Sequence, residues 1–153
     1  MMNPQLCQAL VEVAEAAPVG HDDWWIIGSA AIAASGIEGV KPEDVDVLGS
    51  SATLLKLLDH WQVASGASYP GGQFRSHPYV RVRLPGCLPI ETMGDLHVYA
   101  SGGWLPVRPA TRVELKIAGH SIFLPTLREQ IDILRMFGRP KDLAKARLIE
   151  AAT

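Results

Sequence analysis

Two short stretches constrain this chain more than anything else in it. The first is Trp24-Trp25-Ile26-Ile27-Gly28-Ser29-Ala30-Ala31, an apolar run that breaks at Gly-Ser and continues into an alanine-rich segment. It predicts a buried strand, a tight turn and the start of a helix. The second is Asp44-Val45-Asp46-Val47-Leu48, a short apolar strand with carboxylates at alternate positions. Strand side chains alternate between faces, so Asp44 and Asp46 point the same way. A pair of acids on one face, opposite a Gly-Ser turn, suits a metal and a phosphate together.

The chain has 153 residues, a length that predicts one domain over residues 1–153 with a moderate core. Hydrophobic content of 48% and charged content of 20% exclude a disordered chain, and a net charge of −2 excludes a strongly basic nucleic-acid binder. Cys7 and Cys87 are isolated and fit no zinc or redox spacing, so a reducing, cytoplasmic setting is expected. Glu12 and Glu15 interrupt any secretory-type leader. The longest apolar run, Trp24 to Ala34, is shorter than the ~20 residues that cross a bilayer, so no membrane association is expected.

Taken in order, Leu6, Leu10, Val13 and Ala17 repeat at helical spacing and predict an N-terminal helix within residues 1–20, ended by Pro18 and Gly20. Residues 24–124 are expected to carry the sheet. Within them, Ser50-Ser51 caps a helix running to Trp61, residues 65–72 form a turn-rich loop, and Pro85-Gly86 turns a strand from Tyr79 to Leu84 back into one from Cys87 to Met93. Gly94 to Pro109 reads as irregular, followed by a hairpin around Ala118-Gly119-His120. Residues 126–153 predict a pair of helices. Thr126 caps the first with Glu129 at the capping-box position, Gly138 stops it, and Pro140 opens the second.

The chemistry follows from residue types. Nucleotidyl transfer needs the triphosphate charge neutralised and the attacking oxygen held in line, which two divalent ions about 4 Å apart accomplish. Mg²⁺ or Mn²⁺ takes oxygen ligands, and Asp44 and Asp46 offer the first of them. A third acid must come from a neighbouring strand. Glu91 is the first choice, because a carboxylate between apolar flanks is expensive unless partnered. Asp95, just past that strand, is the second choice. Gly28 lets backbone approach a phosphate, and Ser29 opens the helix behind it. Arg139 and Lys141 are expected to face the phosphates from across the cleft.

Ile27-Gly28-Ser29, then a helix, then Asp44-Val45-Asp46 resembles the signature of the nucleotidyltransferase-fold superfamily typified by DNA polymerase beta. The tail Gly138-Arg139-Pro140-Lys141-Asp142-Leu143-Ala144, with the preceding Phe123-Leu124-Pro125-Thr126, resembles the small bacterial nucleotidyltransferases related to abortive-infection toxins (AbiEii-like). The resemblance covers most of the chain from Trp24 onward. It implies an α+β fold with a mixed β-sheet flanked by helices, and a Mg-dependent site that moves a nucleoside monophosphate from an NTP, with ATP the expected donor, to an acceptor such as RNA (tRNA included), a protein or a small molecule. The chain departs from the pattern in five places. Ser29 replaces the usual second glycine, Pro42 an upstream threonine, Leu134 a lysine of the penultimate helix, Lys145 an aspartate of the last helix, and Glu91 the shorter aspartate.

Competing readings stand beside this one. Asp44 and Asp46 also fit the solvated face of an edge strand, and Gly138 to Asp142 also fits an ordinary helix junction. Arg81 and Arg83 are expected to coat an exposed face, the five histidines show no metal spacing, and the four tryptophans are expected in the core. At the level of function, the alternatives are a catalytically degenerate nucleotide-binding or toxin/antitoxin-related protein of the same fold, and a dinucleotide-binding domain built on Gly28. The last lacks the Gly-x-Gly-x-x-Gly pattern.

Overall fold

A computed structural model of the protein describes residues 2–66 and 71–153, so residues 67–70 of the expected turn-rich loop lie outside the described residues. Helix α1 (Pro4–Ala16) is capped by Asn3, whose side chain accepts from the Gln5 amide at 2.7 Å, and Pro4 occupies a first-turn position that has no partner to lose. Strand β1 (Trp24–Ile27), helix α2 (Gly28–Ala34), strand β2 (Val45–Gly49) and helix α3 (Ser51–His60) follow, with Ser50 capping α3 through the Thr53 amide.

Strands β1 and β2 belong to a four-stranded sheet with β4 (Tyr79–Val82) and β5 (Ile90–Gly94), in the order β1-β2-β5-β4. The β2–β5 pair is parallel and the other two are antiparallel, so the sheet is mixed. Because side chains alternate, the register sorts the sheet into two faces. On one, Trp24, Ile26, Val45, Val47, Val82 and Ile90 pack with α1 and α3 residues such as Leu10 and Leu57 into the largest apolar cluster. The opposite face carries two rows that cross all four strands: Ile27, Asp46, Glu91, Arg81, and beside it Trp25, Leu48, Met93, Tyr79.

The second row is covered by a small sheet of β3 (Phe74–Arg75), β6 (His97–Ala100) and β7 (Gly103–Pro106), together with α4 (Leu127–Phe137). This corrects the reading of residues 94–109 as irregular. Ser101 and Gly102 both take positive φ, 52° and 82°, forming the tight turn that suits a right-twisted hairpin. The strands flanking it are only four residues each, and the glycine pair hides their alternation. A further hairpin, β8 (Val113–Ile117) and β9 (His120–Leu124), turns through Ala118-Gly119 and lays Ile122 and Leu124 into the main core.

Helix α5 (Pro140–Ala152) packs against α4 and α2 through Ile32, Leu134, Ala146 and Ile149. Thr126 caps α4 as expected, but the Glu129 side chain does not close a capping box. Its carboxylate accepts instead from the amides of Ala110 and Thr111, at 2.7 and 2.8 Å, and pins the incoming loop to the helix. Trp24 and Trp25 are core residues, whereas Trp104 is only half-buried, with the Arg75 guanidinium 3.8 Å from its ring centre.

Ile26 is fully buried in the main cluster, so Ile26→Ala should lower unfolding free energy by about 2–5 kcal/mol in urea titrations. Val19 is fully exposed, and Val19→Ala should leave stability within about 0.5 kcal/mol.

Candidate active site

The acids gather where the first row crosses the middle of the sheet. Asp46 on β2 lies opposite Glu91 on parallel β5, so neighbouring strands deliver both carboxylates to one point. Asp44 sits just before β2, on the same face by alternation. One carboxylate oxygen from each of Asp44, Asp46 and Glu91 lies within 4.8 Å of the others, and all three residues are half-buried. Asp95, the second choice for the third acid, is placed elsewhere: its Oδ2 accepts from Ser51 Oγ at 2.8 Å, in a separate cleft lined also by Arg75, His77 and Trp104.

Gly28 serves the acids directly. Its φ of +71° suits glycine, and a Cβ there would stand 3.0 Å from Asp46 Oδ2. The turn between β1 and α2 can therefore close over the carboxylate only without a side chain. Ser29 lines the same cleft. Asp46 Oδ1 is sealed from water and has no hydrogen-bond partner among the described residues. A buried carboxylate oxygen without a donor is costly. An all-oxygen donor set with one orphaned atom fits a hard divalent cation such as Mg²⁺ or Mn²⁺.

The cleft holds about 340 Å³ and brings opposite charges face to face. The acids occupy the sheet side, while Arg139, Lys141 and Lys145 come from the α4–α5 junction and α5. Phe74, Phe137 and Tyr79 add aromatic surface. Lys141 lines the cleft. Arg139 is also on its wall, but its guanidinium is engaged: Nε and Nη2 donate to the buried Asp142 carboxylate at 2.6 and 3.0 Å, and the group lies over the Phe74 ring at 4.9 Å. Asp142 in turn accepts from the Arg139 amide and so holds the start of α5.

Two cations beside the acids were not expected there. Lys145 follows Lys141 by one helical turn, which puts both on one face of α5, and it faces Asp46 closely enough to favour that carboxylate's ionised form. Arg81 lies on an exposed face, as its alternation predicts, but its role is larger: its Nη1 also donates to Glu91 Oε1 at 2.5 Å and to Asp44 Oδ2 at 3.2 Å. A signal for this was present: a hairpin turning near Gly86 sets residue 81 opposite residue 91, on the face that carries the acids.

Burial raises the Asp46 carboxyl, with Asp44 and Glu91 adding to the effect and Lys145 opposing it, so that it is pushed up to about 8. The unfolded value lies near 3.9. Between the two, the folded chain keeps a proton that the unfolded chain releases, so metal-free stability should fall as pH rises from about 4 to about 8 and then level off. Asp46→Asn should flatten that slope and be the more stable protein at pH 8.5, read from urea titrations in EDTA at several pH values. A wild-type slope that persists in the variant would assign the titration to another group.

No known protein family pattern and no curated protein matches the sequence. Solved structures do. A presumptive nucleotidyltransferase from Thermotoga maritima superposes with a TM-score of 0.77 at 17% identity, over 100% of this chain and 97% of that one. The antibiotic-resistance factor ANT(2'')-Ia superposes with a TM-score of 0.57 at 14% identity, over 99% of this chain and 85% of that one. The likeness lies in the path of the backbone, and it establishes that this α+β chain, with its mixed sheet and flanking helices, has the nucleotidyltransferase fold.

Proposed function

We propose that the protein transfers a nucleoside monophosphate from an NTP to an acceptor, with Asp44, Asp46 and Glu91 holding the divalent cations. The observation that carries this reading is the convergence of the three carboxylates within 4.8 Å, opposite lysines from α5, on a fold shared with nucleotidyltransferases. Divalent ions at the acids would supply charge neutralisation and activation of the attacking oxygen. Asp44, Asp46 and Glu91 fix the ligand oxygens from neighbouring strands, so little rearrangement is needed on binding. Lys141 and Lys145 take the triphosphate oxygens, aided by Ser29 at the turn. Gly28 keeps the backbone clear of Asp46. Arg139 acts mainly by holding the α4–α5 junction through Asp142.

ATP is the proposed donor, a cytoplasmic setting the proposed location, and kinship with the abortive-infection nucleotidyltransferases rests on the Gly138 to Ala144 tail. No described helix is long and apolar enough to cross a membrane. A second reading, nucleotide binding without turnover, has its own observation: Arg81 already bridges two of the three acids.

Incubation with Mg²⁺ or Mn²⁺, labelled NTPs and cell extract should label an acceptor. Glu91→Gln should abolish the label while circular dichroism stays unchanged. Metal-dependent NTP binding without any labelled product would favour the second reading, and absence of such binding would remove both.

Lys141→Ala and Lys145→Ala should each weaken ATP binding by about ten- to a hundredfold, the effect of one charge-assisted contact at 1.5–3 kcal/mol, and should leave adenosine binding little changed. Arg139→Ala should act differently, lowering stability by roughly 3–5 kcal/mol because it strands the buried Asp142 carboxylate. Calorimetric titration and thermal melts separate the two effects.

A further inference from the structure

Arg81, Glu91 and Asp46 are direct cross-strand neighbours on β4, β5 and β2, in one row on one face of the sheet. Arg81 Nη1 lies 2.5 Å from Glu91 Oε1 and 3.2 Å from Asp44 Oδ2. A single guanidinium nitrogen thus takes an oxygen from each of two acids in the three-acid cluster. It stands between these two carboxylates and occupies an oxygen of each. The third acid behaves differently: Asp46 Oδ1 has no hydrogen-bond partner among the described residues. Arg81 therefore meets two of the acids, while the cation that faces Asp46 is Lys145.

The side chain is also placed to leave. Strand β4 is an edge of the sheet, and the Arg81 side chain is 39% exposed, against 16% for Glu91. Outward rotation would cost little buried surface.

We propose that Arg81 is a positioning residue that holds Asp44 and Glu91 together in the metal-free protein and is displaced when a divalent cation enters, so that it sets the site's metal affinity by competition. This rests on the reading of Asp44, Asp46 and Glu91 as metal-holding acids. Competition follows from chemistry: Glu91 Oε1 cannot give the same lone pairs to a guanidinium and to a metal ion. A merely structural arginine would make opposite predictions, since losing it would loosen the acids and weaken metal binding.

The test is Mn²⁺ binding to the whole chain at pH 8.5, followed by electron paramagnetic resonance. Arg81→Gln should bind Mn²⁺ more tightly than wild type by about tenfold, the equivalent of one charge-assisted contact. Arg81→Lys restores the cation and should return the affinity towards wild type. Without metal, Arg81→Gln should melt below wild type, and saturating Mn²⁺ should close the gap. Equal or weaker binding by Arg81→Gln, with wild type binding normally, overturns the proposal and leaves the metal site standing. Failure of all three proteins to bind overturns both. Should Arg81→Gln not fold, the wild-type protein still decides. Titration with Mg²⁺ should move the Arg81 Nε–H signal in nitrogen-15 spectra, and an unmoved signal at saturating Mg²⁺ overturns the proposal.

Discussion

Three carboxylates held within 4.8 Å of one another repel, and most of what surrounds them answers that repulsion. In water such a cluster would spread apart. Here it cannot, because Asp46 and Glu91 are fixed by the parallel pairing of β2 with β5, and backbone ladders do not yield to a side-chain charge. The fold responds with cations and a proton instead. Arg81 comes from the edge strand, Lys145 from the last helix, and the raised Asp46 carboxyl keeps its proton into the neutral range.

The rigidity that makes this tolerable lies on the other side of the sheet. Leu6, Leu10, Ile26, Leu54, Leu57, Leu58 and Ile90 are essentially sealed from solvent, and they clamp the strands between the acids and helices α1 and α3. Burial of each such side chain contributes roughly 1.5–3 kcal/mol, so the apolar face can offset electrostatic strain on the polar one. The period of a strand keeps the acids off this main apolar face, and beside them on their own face Trp25, Leu48 and Met93 pack into a second, smaller cluster.

Helix α5 connects stability to the cleft. Its first turn is pinned by the Arg139–Asp142 pair, and its inner face is anchored by Ala146 and Ile149. Those contacts hold Lys141 and Lys145 one turn apart against the cleft. Arg139 holds the junction while lining the cleft wall, and Lys141 and Lys145 line the cleft beside it. An arginine suits the first task because its planar fork can meet a carboxylate with two donors while stacking on Phe74.

Local physics in the sequence determined a good deal. The apolar run broken by Gly28, the alternation that puts Asp44 and Asp46 on one side, the caps at Ser50 and Thr126, and the Gly138–Pro140 punctuation are consequences of neighbouring residues, and all appear in the structure. Glu91 was within reach because an acid between apolar neighbours needs a partner. What the sequence could not decide is which strand lies beside which. The hairpin at Pro85-Gly86 brings Arg81 opposite Glu91, but it is the parallel alignment of β2 with β5, joining residues 45 positions apart, that adds Asp46 to the row. The same limit hid the small sheet over residues 94–109, whose third strand, β3, comes from residues 74–75. It also hid Lys145, which a helix pattern can place on a face but cannot aim at Asp46. Side-chain chemistry is written locally, whereas the charge that each side chain meets is set by long-range pairing, and only the tertiary structure decides that.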